Sequence, residues 1–332
     1  MTETDRPAPT PLTARRLAVT AGVMAVVTVA VAWGCCLLGP ETLGWAVVQI
    51  RLGRIAAAAI IGAGLAVAGM ALQGLLRNPL AEPYILGISS GAGVGVLAGI
   101  VLLGRYAVGT PALAAIGAGA TCVVVYLIAQ RRGRLDPYVL LLAGVSVGMF
   151  NGAVMFGLLL YMEPDHLLQF IRWSMGDVPQ WAWSQPLLLA GCGGVVLAGW
   201  AVLLIRGAAF NALGLGDEVA RSAGVGVGRF RVETFIVVSV MTAATVSLAG
   251  PVGFVGLIVP HVCRLLVGAD HRRLAVVSGF AGAIALIAAD TFCRTFGPWQ
   301  GIGKIPVGVV TALCGGPFFV WLLRRRFKVA AV

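Results

Sequence analysis

Long apolar stretches separated by short charged segments make up most of the chain. A helix that crosses a lipid bilayer needs about 20 mostly apolar residues, and ten stretches reach or approach that length. They are residues 17–38, 55–76, 84–103, 111–130, 138–161, 184–205, 232–250, 252–266, 274–292 and 305–323. The eighth has only 15 residues and carries Pro260, His261 and Arg264 near its end, so we expect a tilted or partial span. The pattern predicts an all-α, polytopic membrane protein with about ten transmembrane helices.

The basic residues predict that both chain termini are cytoplasmic. With ten spans the termini lie on one side of the membrane, and cytoplasmic loops carry most Lys and Arg residues. A cytoplasmic N-terminus assigns 18 of the 24 Lys and Arg residues to that side. The outer set is Arg51, Arg54, Arg105, Arg172, Arg294 and Lys304. We expect one transmembrane domain over 1–332, with a cytoplasmic tail at 1–16 and a cytoplasmic loop at 206–231.

The composition excludes a soluble or disordered chain. Of the 332 residues, 59% are hydrophobic and 11% are charged, whereas soluble domains carry about 25% charged residues. Disorder requires low hydrophobicity, and the 46 glycines suit closely packed membrane helices. The net charge of +11 lies mostly in the cytoplasmic segments. We therefore expect contact with membrane lipid and no nucleic-acid partner.

The sequence has no motif for catalysis, ATP hydrolysis or metal binding. There is no HExxH or Ser–His–Asp arrangement, and the seven cysteines form no CxxC pair. A P-loop needs Gly-Lys-Ser/Thr, but neither lysine, Lys304 or Lys328, is followed by Ser or Thr. We expect a chain that is not an enzyme and binds no cofactor or metal. Energy for uphill transport would come from a separate ATPase subunit.

One acidic residue, Asp290, lies near the outer end of the ninth span. Charged groups within membrane helices are costly and mark function. Arg294 follows four residues later on the same helical face, so we predict a structural ion pair between the two. A proton-coupled secondary transporter, the alternative function, would need Asp290 or Glu233 buried and titrating. A receptor or assembly scaffold is a second alternative.

Residues 211–228 of the cytoplasmic loop have the signals of a short surface helix. The segment begins with an Asn or Gly start signal, carries Asp217 and Glu218 early, and ends in glycines. By itself this pattern leaves two interpretations open. The segment is either a solvated linker or a docking element for a cytoplasmic partner.

Three sequence motifs stand out in the second half of the pattern and at the end of the second span. Residues 77–93 read RNPLAEPYILGISSGAG, and residues 250–261 read GPVGFVGLIVPH, followed by DHR at 270–272. The last span carries PVG at 306–308 and GPF at 316–318. These motifs resemble those of the FecCD-type permeases, which import ferric siderophores, haem or cobalamin. The resemblance covers about residues 50 to 325, which is nearly the whole chain.

The resemblance implies a type II ABC importer permease in the bacterial inner membrane. It implies a homodimer of ten-helix subunits, two cytoplasmic ATPase subunits that use ATP and Mg, and an extracytoplasmic substrate-binding protein. Asn78 and Leu80 would lie at the cytoplasmic constriction, with Pro137 and Tyr138 of the loop before the fifth span. Asn78 and Pro137 also suit simple helix-capping roles, and the two roles are compatible.

The resemblance also implies two sets of docking residues. Arg51, Arg54 and Arg294 would receive acidic residues of the binding protein, although basic residues there also serve as interfacial anchors. The coupling segment, residues 214–225, would fit a groove on the ATPase. Its matching residues are Leu215, Asp217, Glu218, Ala220, Arg221, Gly224 and Val225.

Three departures from the family pattern bear on the cargo and the outer face. Asp136, Pro137 and Tyr138 stand where cobalamin members have smaller hydroxyl residues, so we rank ferric siderophore first, haem second and cobalamin third. Gly53 replaces a proline between the first two outer arginines. Lys304 stands where a glutamate is usual, and we expect it to pair with Asp290 or with an acid on the binding protein.

Overall fold

The computed structural model describes residues 14–39, 44–103, 109–131, 134–300 and 303–330. Thirteen α-helices fill most of these ranges: α1 (Ala14–Leu37), α2 (Trp45–Leu76), α3 (Ile88–Leu103), α4 (Thr110–Ala129), α5 (Pro137–Leu159), α6 (Pro164–Ser174), α7 (Pro186–Ile205), α8 (Gly207–Gly214), α9 (Asp217–Ser222), α10 (Val227–Ala249), α11 (Val255–Val267), α12 (His271–Trp299) and α13 (Val307–Ala330). Short 3-10 helices occupy Pro83–Leu86 and Gln180–Trp183. Two-residue strands, Gln130–Arg131 and Arg134–Leu135, form an antiparallel pair before α5.

Ten of these helices correspond to the ten predicted spans. Seven are long and apolar enough to cross a membrane, namely α1, α2, α4, α5, α7, α10 and α12. The apolar parts of α3, α11 and α13 are shorter. The 13 residues of α11 extend only about 20 Å at 1.5 Å per residue, less than the roughly 30 Å hydrocarbon layer. The ten helices at the predicted positions confirm the all-α architecture, and α11 is the short span that the sequence led us to expect.

The structure corrects several predicted boundaries. The second span begins at Trp45 rather than at residue 55, so Arg51 and Arg54 lie inside α2 and not in a loop. The outer connection at 162–183 contains α6, an amphipathic helix. The cytoplasmic segment at 211–228 contains the end of α8, all of α9 and the start of α10 rather than one helix. Residues 14–16 of the predicted N-terminal tail belong to α1, and residues 1–13 and Arg105 lie outside the described ranges.

Helix α2 forms the centre of the bundle and packs against α7, α10, α11 and α12. Its glycines allow backbone-to-backbone contact. A Cβ atom added at Gly62 would lie 2.1 Å from the carbonyl oxygen of Gly282 in α12, and one at Gly69 would lie 1.9 Å from that of Gly256 in α11. Small residues at such crossings drive helix association in membranes, where apolar burial alone gives little preference.

Candidate functional site

Four charged residues form an alternating ionic cluster at the outer end of the bundle. The guanidinium of Arg54 in α2 donates to both carboxylate oxygens of Asp290 in α12, with an Nε–Oδ2 distance of 3.3 Å. Arg54 and Asp290 are only 4% and 2% exposed. Arg54 Nη2 also lies 4.0 Å from Asp177 Oδ1, and Asp177 accepts a hydrogen bond from Lys304. The cluster therefore runs Asp290, Arg54, Asp177, Lys304, with opposite charges adjacent.

This ionic cluster corrects two predicted pairings. Asp290 pairs with Arg54, 236 residues away in sequence, and not with Arg294 on its own helix. Lys304 pairs with Asp177 rather than with Asp290. Partial burial raises the pKa of Asp177, an effect that Lys304 opposes, and burial lowers the pKa of Lys304.

The two other predicted docking arginines, Arg51 and Arg294, hold the C-terminal end of α1. Arg51 Nη1 donates to the carbonyl oxygen of Cys36 at 3.0 Å. Arg294 Nη1 donates to that of Leu38 at 2.6 Å, and its Nη2 donates to that of Cys35. Carbonyls at a helix C-terminus lack intrahelical donors and carry partial negative charge, so cations suit this position.

The outer arginines are less exposed than the sequence suggested. Docking to a binding protein would call for exposed guanidinium groups at Arg51, Arg54 and Arg294, but Arg51 and Arg54 are 5% and 4% exposed, whereas Arg294 is partly accessible. The expectation of exposure is wrong for the first two, because each finds an acceptor within the chain. Their role in docking a binding protein stays a prediction.

A second ionic cluster joins three elements at the cytoplasmic face. Asp217, the first residue of α9, accepts hydrogen bonds from Arg77 at the end of α2 and from Arg231 of α10, the latter at 3.0 Å. Arg221, one turn later on α9, lies 3.7 Å from the same carboxylate. Asp217 thus ties the α9 segment to the central helix of the bundle.

The predicted coupling residues divide into an outward-facing and an inward-facing set. Leu215 is 75% exposed, and Glu218, Arg221 and Gly224 are also exposed. Ala220 is fully buried, Val225 is partly buried, and Asp217 points towards Arg77 and Arg231. The first set is accessible to a partner protein, whereas the second set packs the α9 segment against the rest of the chain.

Local capping interactions surround the predicted cytoplasmic constriction. Asn78 Oδ1 accepts a hydrogen bond from the amide of Leu80 at 3.0 Å. Pro137 begins α5, Asp136 caps it by accepting from the amide of Tyr138 at 2.8 Å, and the Tyr138 side chain is 70% exposed. Pro137 opens a helix as expected, but Asn78 caps none, because the C-cap of α2 is Arg77 and Glu82 precedes the next 3-10 helix. The role of these residues at a constriction stays a prediction.

Sequence reasoning missed two functional candidates in the same connection, Glu82 and Tyr84. The Glu82 carboxylate accepts a hydrogen bond from the amide of Phe254 at 2.5 Å, and the Tyr84 hydroxyl accepts one from that of Val252 at 3.0 Å. The signal that could have identified Glu82 is that it is the only acidic residue of the motif at 77–93 and lies between two prolines. Its partner is a backbone group about 170 residues away, which no side-chain pattern reveals.

The acids that a proton-coupled mechanism would use are both paired with arginine. Asp290 is buried and bonded to Arg54. Glu233 is partly exposed and accepts from Arg206 at 2.7 Å and from Arg229 at 2.8 Å. Within the described ranges, no three His, Cys, Asp or Glu residues come together as ligands for a metal ion.

The model of the FecCD transport family matches residues 17–325. The chain belongs to the FecCD transport family. It is similar to the cobalamin import system permease protein BtuC of Halobacterium salinarum, with 43% identity over 86% of this chain and 75% of that protein. It is also similar to the hemin transport system permease protein HmuU of Yersinia pestis, with 37% identity over 84% of this chain and 83% of that protein.

Two solved structures share the fold of this chain. An inward-facing ABC transporter of the metal-chelate type has a TM-score of 0.81 and 28% identity, and the match covers 93% of this chain and 99% of that one. PsaBC from Streptococcus pneumoniae shares the fold at 15% identity, with a TM-score of 0.53 over 82% of this chain and 90% of that one. This FecCD member is a multi-pass permease of an ABC importer.

Proposed function

We propose that this chain forms the transmembrane pathway of an importer for a large metal chelate, with the pathway between two copies of the chain. ABC importer permeases of the FecCD family are the relatives that support this proposal. A bulky chelate suits a wide, weakly binding pathway, because conduction requires that the cargo leave as well as enter. The two copies would alternate between outward-open and inward-open states in a bacterial inner membrane.

The α9 segment is the proposed docking surface for a cytoplasmic ATPase dimer. Leu215, Glu218, Arg221 and Gly224 present both apolar and charged groups to the cytoplasm. Asp217 links the same segment to α2 and α10 through Arg77 and Arg231. A displacement of α9 by the ATPase would therefore be transmitted to these two helices. ATP and Mg would bind to the partner subunit, and this chain itself would hold no cofactor.

The outer ends of α1, α2 and α12 form the proposed docking face for an extracytoplasmic binding protein. Of the three predicted docking arginines, Arg294 has accessible surface, and Lys304 adds a partly exposed cation. We assign Arg51 and Arg54 an indirect role, because their contacts fix the end of α1 and the position of Asp177. Acidic groups on the binding protein would meet this face.

For the cargo, we place cobalamin and haem ahead of a ferric siderophore. The support is the naming of BtuC and HmuU, which are 43% and 37% identical to this chain. We give these relatives more weight than the departure at Asp136, Pro137 and Tyr138, from which the sequence alone ranked a ferric siderophore first. All three cargoes are large chelates, so the mechanism is the same for each.

Co-expression with candidate partner subunits tests the function and names the cargo. The chain is co-expressed and purified with a candidate ABC ATPase and a candidate binding protein, and ATP hydrolysis is measured with cobalamin, haem and ferric siderophores. We expect a stable complex whose ATPase activity rises with one loaded binding protein. A folded chain that binds no ATPase would contradict the importer, and stimulation by a siderophore alone would overturn our order of cargoes.

A further inference from the structure

The connection between α10 and α11 has an unusual backbone for a segment that lies among membrane helices. Residues 250–254 are non-helical, and Val252 is fully buried. Phe254 has a φ of 67° and a ψ of −19°, in the left-handed region, which a bulky aromatic residue rarely adopts. Non-helical backbone at this place needs partners for its polar groups and a constraint that holds the strained residue.

Two side chains from the α2–α3 connection supply those partners. Tyr84 accepts from the Val252 amide and Glu82 from the Phe254 amide, at 3.0 and 2.5 Å. The bonded amides are two residues apart, as they would be on one side of a strand. The Glu82 and Tyr84 side chains thus accept the hydrogen bonds that the carbonyl groups of a neighbouring strand would accept. The bond to Glu82 is the stronger of the two, because a carboxylate accepts it.

The constrained residue Phe254 packs its ring against α13. A Cβ atom added at Gly315 would lie only 2.1 Å from Cγ of Phe254, so the ring occupies the space that a side chain would fill. Pro83 follows Glu82 and contacts the next turn, where a Cβ at Gly256 would lie 2.9 Å from Pro83 Cδ. The position of the Phe254 ring therefore depends on the Glu82 contact.

The other end of this segment adjoins the outer ionic cluster. The amide of Asp177 donates to the carbonyl oxygen of Ala249 at 2.8 Å. Gly176 has a φ of 72°, and a Cβ there would lie 2.1 Å from the carbonyl oxygen of Pro251. Asp177, which pairs with Lys304, is thus connected through 249–254 to Glu82. Glu82 in turn lies only four residues after Asn78, the residue that we predicted to lie at the cytoplasmic constriction.

On the basis of the proposed transport function, we propose that Glu82 is a positioning residue for transport. Its carboxylate holds the left-handed Phe254 and keeps residues 250–254 seated between the outer loop and the α2–α3 connection. A movement at the outer face is then transmitted to the constriction, because residues 250–254 are held in place and cannot shift independently. Loss of this side-chain acceptor would uncouple the two ends while leaving the helices folded.

Hydrogen exchange in nanodiscs tests the local contact without any transport assay. In Glu82→Ala the amides of residues 252–257 should exchange roughly tenfold faster, since a lost buried hydrogen bond changes the opening equilibrium by about that factor. In Glu82→Gln the amide oxygen still accepts, so exchange should stay near the wild-type rate. Unchanged exchange in Glu82→Ala would overturn the positioning role.

Transport with the same variants separates positioning from a loss of folding. Glu82→Ala should lower the cargo imported per ATP hydrolysed by about tenfold, and Glu82→Gln should restore it. Phe254→Gly removes the left-handed strain, so Glu82→Ala should have a smaller effect in that background, whereas Phe254→Ala keeps the strain and serves as the control. Equal effects in all three backgrounds would contradict the proposal, and this comparison remains decisive if Glu82→Ala alone folds poorly.

The two readouts distinguish failure of the inference from failure of the proposed function. Faster exchange in Glu82→Ala, with a wild-type chain that imports nothing when ATP is supplied, would overturn the function but keep the local contact. Normal exchange in Glu82→Ala, with ATP-driven import by the wild type, would overturn the positioning role alone.

Discussion

The buried Arg54–Asp290 ion pair gives a sharp prediction about stability. Arg54 has a second carboxylate nearby, Asp177, whereas Asp290 has no second cation as close among the described residues. If Asp290 is neutralised, Arg54 keeps Asp177 at 4.0 Å. If Arg54 is removed, Asp290 is left 2% exposed without its cation, while Asp177 keeps Lys304. Removing one member of a buried pair costs about 3–5 kcal/mol. We therefore expect the full cost for Arg54→Met and a smaller one for Asp290→Asn.

The smaller cost follows from the contacts that the Asp290→Asn variant would retain. The neutral amide oxygen of the new side chain still accepts from Arg54, so the loss approximates one charged hydrogen bond, about 1–3 kcal/mol. The double variant Arg54→Met/Asp290→Leu removes both buried charges and should return to within about 1 kcal/mol of the wild type, as buried pairs replaced by apolar residues often do.

Thermal unfolding of the chain in nanodiscs measures these differences. At roughly 2 °C per kcal/mol, Arg54→Met should lower the unfolding midpoint by about 6–10 °C and Asp290→Asn by about 2–6 °C. The order of the three variants carries the test. A double variant less stable than Arg54→Met, or an Asp290→Asn variant less stable than Arg54→Met, would refute the reasoning from unequal partners.

Three further predictions concern packing, coupling and pH. Gly62→Ala should cost about 1–3 kcal/mol, because the added Cβ meets α12; Gly22→Ala on α1, where a Cβ meets nothing within 4 Å among the described residues, is the matched control, and equal midpoints would contradict the packing. Glu218→Ala with Arg221→Ala should leave the chain folded and reduce cargo imported per ATP hydrolysed, whereas unchanged coupling would remove α9 from the ATPase interface. Burial raises the pKa of Asp177, so the stability it contributes falls as pH rises through the raised value; Asp177→Asn should flatten that part of the stability–pH curve, and an unaltered curve would contradict the assignment.

The sequence was sufficient to predict the ten membrane helices, because apolar length alone distinguishes a span from a loop. It misplaced the start of α2, since Arg51 and Arg54 interrupt the apolar run and suggested a loop. Their acceptors are the end of α1 and Asp290, and these contacts exist only after the helices pack. A local rule could offer Asp290 only its i+4 neighbour, Arg294.

The candidate site was predictable where it depends on local structure. The start signals of residues 211–228 located the α9 segment, although Gly216, with a φ of 129°, separates two helices that the pattern merged into one. The motif at 77–93 drew attention to the right connection but not to the role of Glu82. That role depends on the amide of Phe254, and backbone donors leave no trace in side-chain patterns.

Cargo uptake into proteoliposomes tests the central claim most directly. The vesicles contain this chain with its ATPase, ATP and Mg inside, and a loaded binding protein outside. The account predicts that the chelate accumulates only when ATP is present and that a proton ionophore has no effect. Uptake that continues without ATP and collapses with the proton gradient would contradict the account, and it would point to a proton-coupled transporter.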